Sequence, residues 1–295
     1  MMRPDLFEIL SYATHRGLRV ALTPTTTRLV TRRALARARE AGVRRLAISI
    51  DGPSEEVHDA FRGMRGSFRM ALAIAGMARE EGLPLQVNTT LSRWNSALLG
   101  QMATLVATLE AVQWSIFFLV PVGRALKEDM LTPQEHEEAF HRIYDLSKQV
   151  PYDVKVTSAP AYRRVVMQRE GKQADGPRLV AGAGFRYADG LDRPTVGIND
   201  GKGFCFVSHL GEVWPSGFLP LSGGSVRRTS IAEIYRCSPL FRELRNPTKL
   251  KGRCGRCPYR EVCGGSRARA YALTRDYLAE DPSCAFEPPG PFPSP

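Results

Sequence analysis

From its amino end to about residue 150 the chain alternates two patterns of apolar residues. One has the three-to-four-residue spacing of a helix face; the other is short and nearly continuous. Leu6, Ile9, Leu10 and Ala13 fall on one helical face behind Pro4, which suits a first turn, and Gly17 stops the run. Residues 18–22 then read as a short strand, followed by a helix up to Gly42, and 45–50 (RLAISI) as the next strand. Ser67 is expected to cap a helix whose inner face is Phe68, Leu72, Ala75 and Met77, ended by Gly82. Leu85–Leu91 is a strand, and Asn95 is expected to cap a helix with Leu98, Leu99, Met102, Leu105, Val106 and Leu109 inward. Residues 112–120 (VQWSIFFLV) form a buried strand. Thr132-Pro133-Gln134-Glu135 is a capping box with proline at the first helical position, opening a helix to about Lys148. Repeated helix–strand units with near-continuous apolar strands predict an α/β fold, a parallel sheet covered by helices.

The pattern changes after that. Residues 171–203 are rich in Gly, Asp, Pro and Arg without periodicity and read as a connecting or lid segment. Residues 204–207 and 212–214, either side of His209-Leu210-Gly211, read as a hairpin, and 230–233 as a second capping box. The expected organisation is 1–150, a connecting segment 151–203, and a carboxyl-terminal domain 204–295.

Composition narrows the class. The 295 residues, 43% hydrophobic, suffice for one or two domains with a real core. No run of eighteen apolar residues occurs, so no transmembrane helix is expected. The segment MMRPDLFEIL lacks a signal-peptide layout, which predicts a cytoplasmic protein whose thiols stay reduced. The net charge of +11 is spread through every segment, with no aromatic-interleaved basic block, so it reads as a solvated basic surface and nucleic acid is not the expected partner.

Six cysteines are present. Cys254 and Cys257 form a CxxC, Cys263 follows after five residues and Cys284 after twenty more. A tight knuckle with two chain returns can wrap one metal centre, either tetrahedral zinc or an iron–sulfur cluster. Polar residues also gather at expected strand ends: Thr23 and Thr25; Ser49 and Asp51; Asn88, Thr89 and Thr90; and 121–124 (PVGR). Parallel α/β barrels line their active sites this way, although Ser, Asp and Asn favour ordinary turns as well.

Ser49-Ile50-Asp51-Gly52-Pro53, His58-Asp59, Arg62-Gly63, Gly66-Ser67-Phe68 and Val87-Asn88-Thr89-Thr90 resemble the middle of a radical SAM barrel. Gly211-Glu212-Val213 through Pro215, Ser238-Pro239-Leu240-Phe241, and the cysteines with Gly264-Gly265-Ser266-Arg267-Ala268 resemble a SPASM extension. The resemblance implies a (β/α)6 barrel that cleaves S-adenosylmethionine (SAM) with a [4Fe–4S] cluster, followed by an auxiliary-cluster domain. It favours iron–sulfur at Cys254, Cys257, Cys263 and Cys284. It makes Ser49, Asp51 and Asn88 the candidates for contacting SAM. It also implies a reducing electron donor such as a flavodoxin or ferredoxin. No catalytic acid or base is assigned; His58 and His209 read as hydrogen-bonded turn residues.

The chain departs from the family in two ways. Ser216 and Ser266 stand where a second auxiliary cluster would need cysteines, and serine is a poor substitute for a soft thiolate. One auxiliary cluster is therefore expected, with Cys205 packing as a small apolar residue in a strand and Cys237 packing on a helix. The family's CxxxCxxC is absent from the sequence. A partial barrel lacking its first units is expected, with an exposed edge at 18–22 and no SAM cleavage by the chain as written; SAM and the second [4Fe–4S] cluster belong to a missing amino-terminal segment. The segments CGGSRARAYA and DYLAEDP most resemble tetrapyrrole-modifying members, which decarboxylate iron-coproporphyrin or tailor heme d1 propionates. Arg267 and Arg269 are the candidates for binding propionates. The rival substrate is a ribosomal peptide. The rival class is a basic four-cysteine zinc module without catalysis.

Overall fold

The computed structural model describes residues 3–171 and 198–289. About half of the expected connecting segment 151–203, residues 172–197, lies outside the described residues. The chain divides into two compact units. One comprises Met1–Phe117 with Asp145–Lys155, the other Phe118–Tyr144 with Val156–Pro295.

Through the first unit, helices and strands alternate: α1 Leu6–His15, β1 Val20–Leu22, α2 Arg32–Glu40, β2 Val43–Ser49, α3 Glu55–Arg62, α4 Ser67–Glu80, β3 Leu85–Leu91, α5 Leu99–Thr108 and β4 Gln113–Phe118. Then come α6 Pro133–Gln149, β5 Asp153–Thr157 and α7 Ala161–Arg169, so the division between units falls inside β4, α6 and β5. The strands form one sheet in the order β1-β2-β3-β4-β5. Pairing of β1 with β2 and of β2 with β3 is parallel, and Ser49 stands opposite Asn88 in the register. Each strand follows its predecessor by way of a helix and the order never reverses. Crossovers of the usual right hand then put every helix on one face of the sheet. That face buries Leu46, Ile48, Val87, Trp114 and Ile116 against Leu35, Ala71, Ile74 and Val106 of the helices.

The opposite face is polar. β3 alternates strictly between buried and half-buried positions, with Gln86, Asn88 and Thr90 on the less buried side. Gln86 Nε2 donates to Asn88 Oδ1 (2.8 Å) and to Ser115 Oγ on β4 (3.2 Å), and Arg45 Nη1 donates to Gln113 Oε1 (2.6 Å). The sequence expectation was a parallel sheet covered by helices; the second face of this one carries the polar residues Arg45, Gln86, Asn88, Gln113 and Ser115.

Two expected caps turn out otherwise. Gly66, at φ +79°, occupies the cap of α4, and the end is closed by the Asp59 carboxylate, which accepts from the Phe68 amide (2.8 Å), the Ser67 hydroxyl (2.9 Å) and the Gly66 amide. A carboxylate one helix upstream satisfies three donors, more than the Ser67 hydroxyl could. Asn95 does not cap α5; its amide is used at the strand ends described below. The capping boxes hold. Thr132 N donates to Glu135 Oε2 (2.7 Å) while Glu135 N donates to Thr132 Oγ1 (3.2 Å), and Ser230 Oγ accepts from Glu233 N (3.2 Å).

The second unit carries a small antiparallel hairpin, β6 Phe206–Val207 with β7 Val213–Trp214, as expected. It continues through α8 Ile231–Cys237, α9 Pro239–Leu244, α10 Gly252–Arg256 and α11 Arg267–Thr274. Val213, Ile234 and Phe241 form one apolar cluster, with Cys205 packed against it. Cys237, expected to pack, is instead exposed at the end of α8.

Candidate functional site

The strand-end constellation lies in the first unit. β2 ends at Ser49, and the chain turns sharply through Asp51, Gly52 and Pro53 into α3. A Cβ on Gly52 would sit 2.6 Å from the His58 amide nitrogen, so the turn approaches α3 more closely than any side chain permits. Asp51 is fully buried. Its Oδ1 accepts from the Thr90 amide (2.7 Å), Arg62 Nε lies 2.6 Å from its Oδ2, and its carbonyl accepts from Asn95 Nδ2 (2.8 Å). Asn95 also donates to the Thr90 carbonyl (2.9 Å) and accepts from the Ser92 amide (3.0 Å). Asp51 and Asn95 together clamp the end of β2 to the end of β3. Burial raises the Asp51 carboxyl above its ordinary range, and Arg62 and the Thr90 amide only partly offset it.

His58 Nδ1 accepts from the Asp51 amide (3.0 Å), so the ring is neutral with its proton on Nε2. Burial, then the neighbouring Arg62 charge, lowers its pKa to about 4. His209 is exposed in the hairpin turn. Ser49 and Asn88 are half-buried on the polar face, side by side in the register.

The cysteine site lies wholly in the second unit. Cys254 belongs to α10, Cys257 follows it, and Cys263 precedes the Gly264-Gly265 turn into α11. Cys284 lies on the return strand of chain after Asp281. All four line one cavity, together with Arg164 of α7. Two amides point at sulfur: Gly265 N donates to Cys263 Sγ and Asp281 N to Cys254 Sγ, each at 3.4 Å. Arg267 Nη2 stands 3.6 Å from Cys254 Sγ. Burial raises all four thiols, Cys284 to about 11, and the charge of Cys254 raises the other three further.

The donor set fits a cluster. Four soft thiol donors line one cavity, and N–H groups are aimed at sulfur, a donor set that suits an iron–sulfur centre. Arg164 pairs with Glu137 through two bonds, 2.7 and 2.5 Å, and lies over the Phe286 ring. Arg253 pairs with Glu280 and Glu287.

Ser216 and Ser266 are both buried. Ser216 Oγ accepts from the Phe218 amide (3.3 Å), and Ser266 caps α11 by accepting from the Arg269 amide (3.2 Å). The expectation that Arg267 and Arg269 greet a substrate is overturned, because each is 1% exposed and bonded inside the protein. Arg267 bonds the carbonyls of Gly265, Tyr277 and Ala279; Arg269 bonds those of Leu119 and Ser158 and the Asp281 carboxylate.

Comparison with known proteins places this geometry. The model of the radical SAM superfamily matches residues 1–94. The AdoMet-dependent heme synthase of Methanosarcina barkeri (strain Fusaro / DSM 804) is 42% identical over 288 residues, 98% of this chain and 80% of that protein. The chain belongs to the radical SAM superfamily, in its heme-biosynthesis branch. The PqqA peptide cyclase of Rhodopseudomonas palustris (strain ATCC BAA-98 / CGA009) is 28% identical over 97% of this chain and 71% of its own. Among solved structures, Streptococcus suis SuiB bound to S-adenosylmethionine has a TM-score of 0.68 at 10% identity, covering 97% of this chain. The chain spans 63% of the SuiB chain, and at that identity the likeness shows the radical SAM fold alone. No helix among the described residues is long and apolar enough to cross a membrane.

Proposed function

We propose that this chain acts in the radical SAM modification of a tetrapyrrole side chain, by oxidative decarboxylation or tailoring of a propionate. In this reading the sequential sheet is part of a (β/α)6 barrel. Residues 204–295 are a SPASM-type domain whose Cys254, Cys257, Cys263 and Cys284 hold a single auxiliary [4Fe–4S] cluster. The observation that carries the cluster assignment is the convergence of these four thiols on one cavity with N–H donors aimed at sulfur. The tetrapyrrole assignment rests on similarity to a heme synthase along 98% of the chain, against 28% identity for the peptide cyclase, which ranks the peptide reading second.

When bound, SAM supplies a hydrogen-abstracting radical and the clusters supply one-electron redox chemistry. The chain's own residues do the positioning. Ser49 and Asn88 present adjacent polar side chains to SAM. Asp51, closed off from solvent, serves from behind them by fixing the strand ends. Asp281 takes Arg269 and the Ser266 amide and so holds the return to Cys284. A reduced flavodoxin or ferredoxin in the cytoplasm is the matching electron source.

The SAM-cleaving motif CxxxCxxC is not among these 295 residues, so the test reads the auxiliary cluster and the substrate directly. Anaerobically purified chain is assayed for iron and sulfide, then titrated with iron-coproporphyrin and with its propionate esters. A loaded cluster and saturable binding of the free acid only are the expected result. A chain without iron and sulfide, or a loaded chain that binds neither porphyrin, would count against the reading.

A further inference from the structure

Arg267 is bonded to the cysteine site and has no carboxylate partner among the described residues. Its Nε donates to the Gly265 carbonyl (3.1 Å), its Nη1 to the carbonyls of Tyr277 (2.9 Å) and Ala279 (2.6 Å), and its Nη2 to Cys254 Sγ (3.6 Å). Of the arginines lining the cavity, Arg164 and Arg253 have glutamate partners, and Arg260, exposed to water, donates to the Gly255 carbonyl (3.1 Å). Asp281, which feels Arg267 through space, is bonded instead to Arg269 and to the amides of Ser266 and Ser283. A guanidinium taken out of water with carbonyls for company still lacks an anion. The group it reaches is a ligand sulfur.

The approach is protected by a glycine. Gly265 has φ +64°, and a Cβ there would fall 2.4 Å from Arg267 Nη2 and 2.9 Å from Cys254 Sγ. Both the backbone conformation and the space require glycine. The carbonyls of Tyr277 and Ala279 hold the fork in place, so little reorganisation accompanies a change of charge at sulfur.

We propose that Arg267 is a positioning residue that raises the reduction potential of the auxiliary cluster through a charge-assisted N–H···S bond to Cys254. The inference rests on the four-cysteine cluster reading. Reduction adds negative charge to the cluster, and a fixed cation with a donor on one ligand sulfur stabilises the reduced form more than the oxidised one. The same bonds tie the CxxC knuckle to the chain that returns to Cys284.

The test is EPR-monitored potentiometry on the anaerobically loaded full chain, as wild type, Arg267→Met and Gly265→Ala. Arg267→Met keeps the stem and removes charge and donors; Gly265→Ala keeps the charge and displaces it. At the wild-type midpoint the reduced-to-oxidised ratio is expected to fall about tenfold in Arg267→Met, a shift of about 59 mV for one electron. A smaller fall in the same direction is expected in Gly265→Ala. If Arg267→Met does not retain its cluster, Gly265→Ala decides. Pulsed EPR on wild type with 15N-labelled arginine adds a check that needs no substitution, since a guanidinium nitrogen should couple to the reduced cluster. An unchanged midpoint in the loaded variants, or no arginine nitrogen coupling, overturns the inference and leaves the cluster reading standing. A wild-type protein with no iron and sulfide at this site overturns both.

Discussion

Replacing Asp51 by alanine should cost the first unit about 3–5 kcal/mol, while asparagine should cost about 1 kcal/mol or less. Alanine orphans the half-buried Thr90 amide, which costs about 1–3 kcal/mol, and empties the space of a carboxylate that is fully buried. It also removes the partner of Arg62, but that side chain is 36% exposed and can turn to water, so this part is about 1 kcal/mol. Asparagine keeps the shape and an acceptor for Thr90. It gives up a charge that burial already opposes, since the carboxyl is raised in spite of Arg62.

The pH dependence carries the sign of both groups. A carboxyl with a raised folded pKa contributes stability in full below about pH 4, lost as pH rises through its folded value. His58, lowered to about 4, does the reverse: its contribution is present above about pH 6.5 and is lost as pH falls towards 4, a difference of about 3 kcal/mol. In the wild type the two oppose each other. In Asp51→Asn only the histidine remains, so stability should climb more steeply between pH 4 and 6.5. Urea unfolding followed by tryptophan fluorescence in a Trp214→Phe background reports the first unit through Trp94 and buried Trp114. Asparagine as damaging as alanine, or equal pH slopes in wild type and Asp51→Asn, would refute the clamp.

Three further outcomes concern the second unit. Cys263→Ala should lose most of the iron and sulfide of anaerobically reconstituted protein, because Cys263 is one of four thiols lining the cavity; metal analysis checks it. Glu137→Gln should lower stability by up to about 3 kcal/mol and speed cluster loss on dilution, since buried Arg164 loses a two-bond partner; thermal unfolding and visible absorbance read both effects. His136, whose Nδ1 donates to the Thr132 carbonyl (2.9 Å), has its pKa lowered to about 4 by burial, then by Arg269. His136→Phe, packed between Phe118 and Phe140, should abolish the part of this unit's acid destabilisation that falls between pH 6.5 and 4, measured by hydrogen exchange in α6.

Long periodic segments and local capping chemistry were legible in the sequence: α1, β2, β3, the Thr132 and Ser230 boxes, and the hairpin all form close to their expected places. What failed needed distant partners. Ser67 and Asn95 have cap-forming side chains, but a carboxylate from α3 reaches the first helix end and the strand clamp claims the second. β5 and α7 went unread because Asp153–Thr157 is five residues long and adjoins a stretch poor in periodicity. The polar sheet face did leave a signal. The alternation Leu85, Val87, Thr89, Leu91 against Gln86, Asn88, Thr90 is the period of a strand with two unlike faces, and it contradicts a strand buried in apolar residues on both sides. Arg267 and Arg269 read as substrate ligands by charge alone. Only the folded chain shows that their donors are taken by backbone carbonyls, by Cys254 Sγ and by the Asp281 carboxylate.

The polar face and the clamp explain each other. A sheet wound in one direction leaves its second face without helices, and polar side chains there must bond one another or meet a ligand. Arg45 with Gln113, and Gln86 with Asn88 and Ser115, take the first course. At the carboxyl ends of the strands the bonding runs the other way. Asp51, Asn95 and Thr89 turn their bonds onto backbone, with Thr89 Oγ1 donating to the Ile50 carbonyl (2.7 Å) and accepting from Trp114 Nε1 (2.9 Å). Backbone polarity at the strand ends is thereby satisfied from the buried side, leaving Ser49 and Asn88 with their register fixed and part of their surface open. A site that must present polar groups at a set spacing needs this division of labour. The residues that hold the strands need not be the ones that touch the ligand: Asp51 holds the strands, and Ser49 and Asn88 are the proposed ligand contacts.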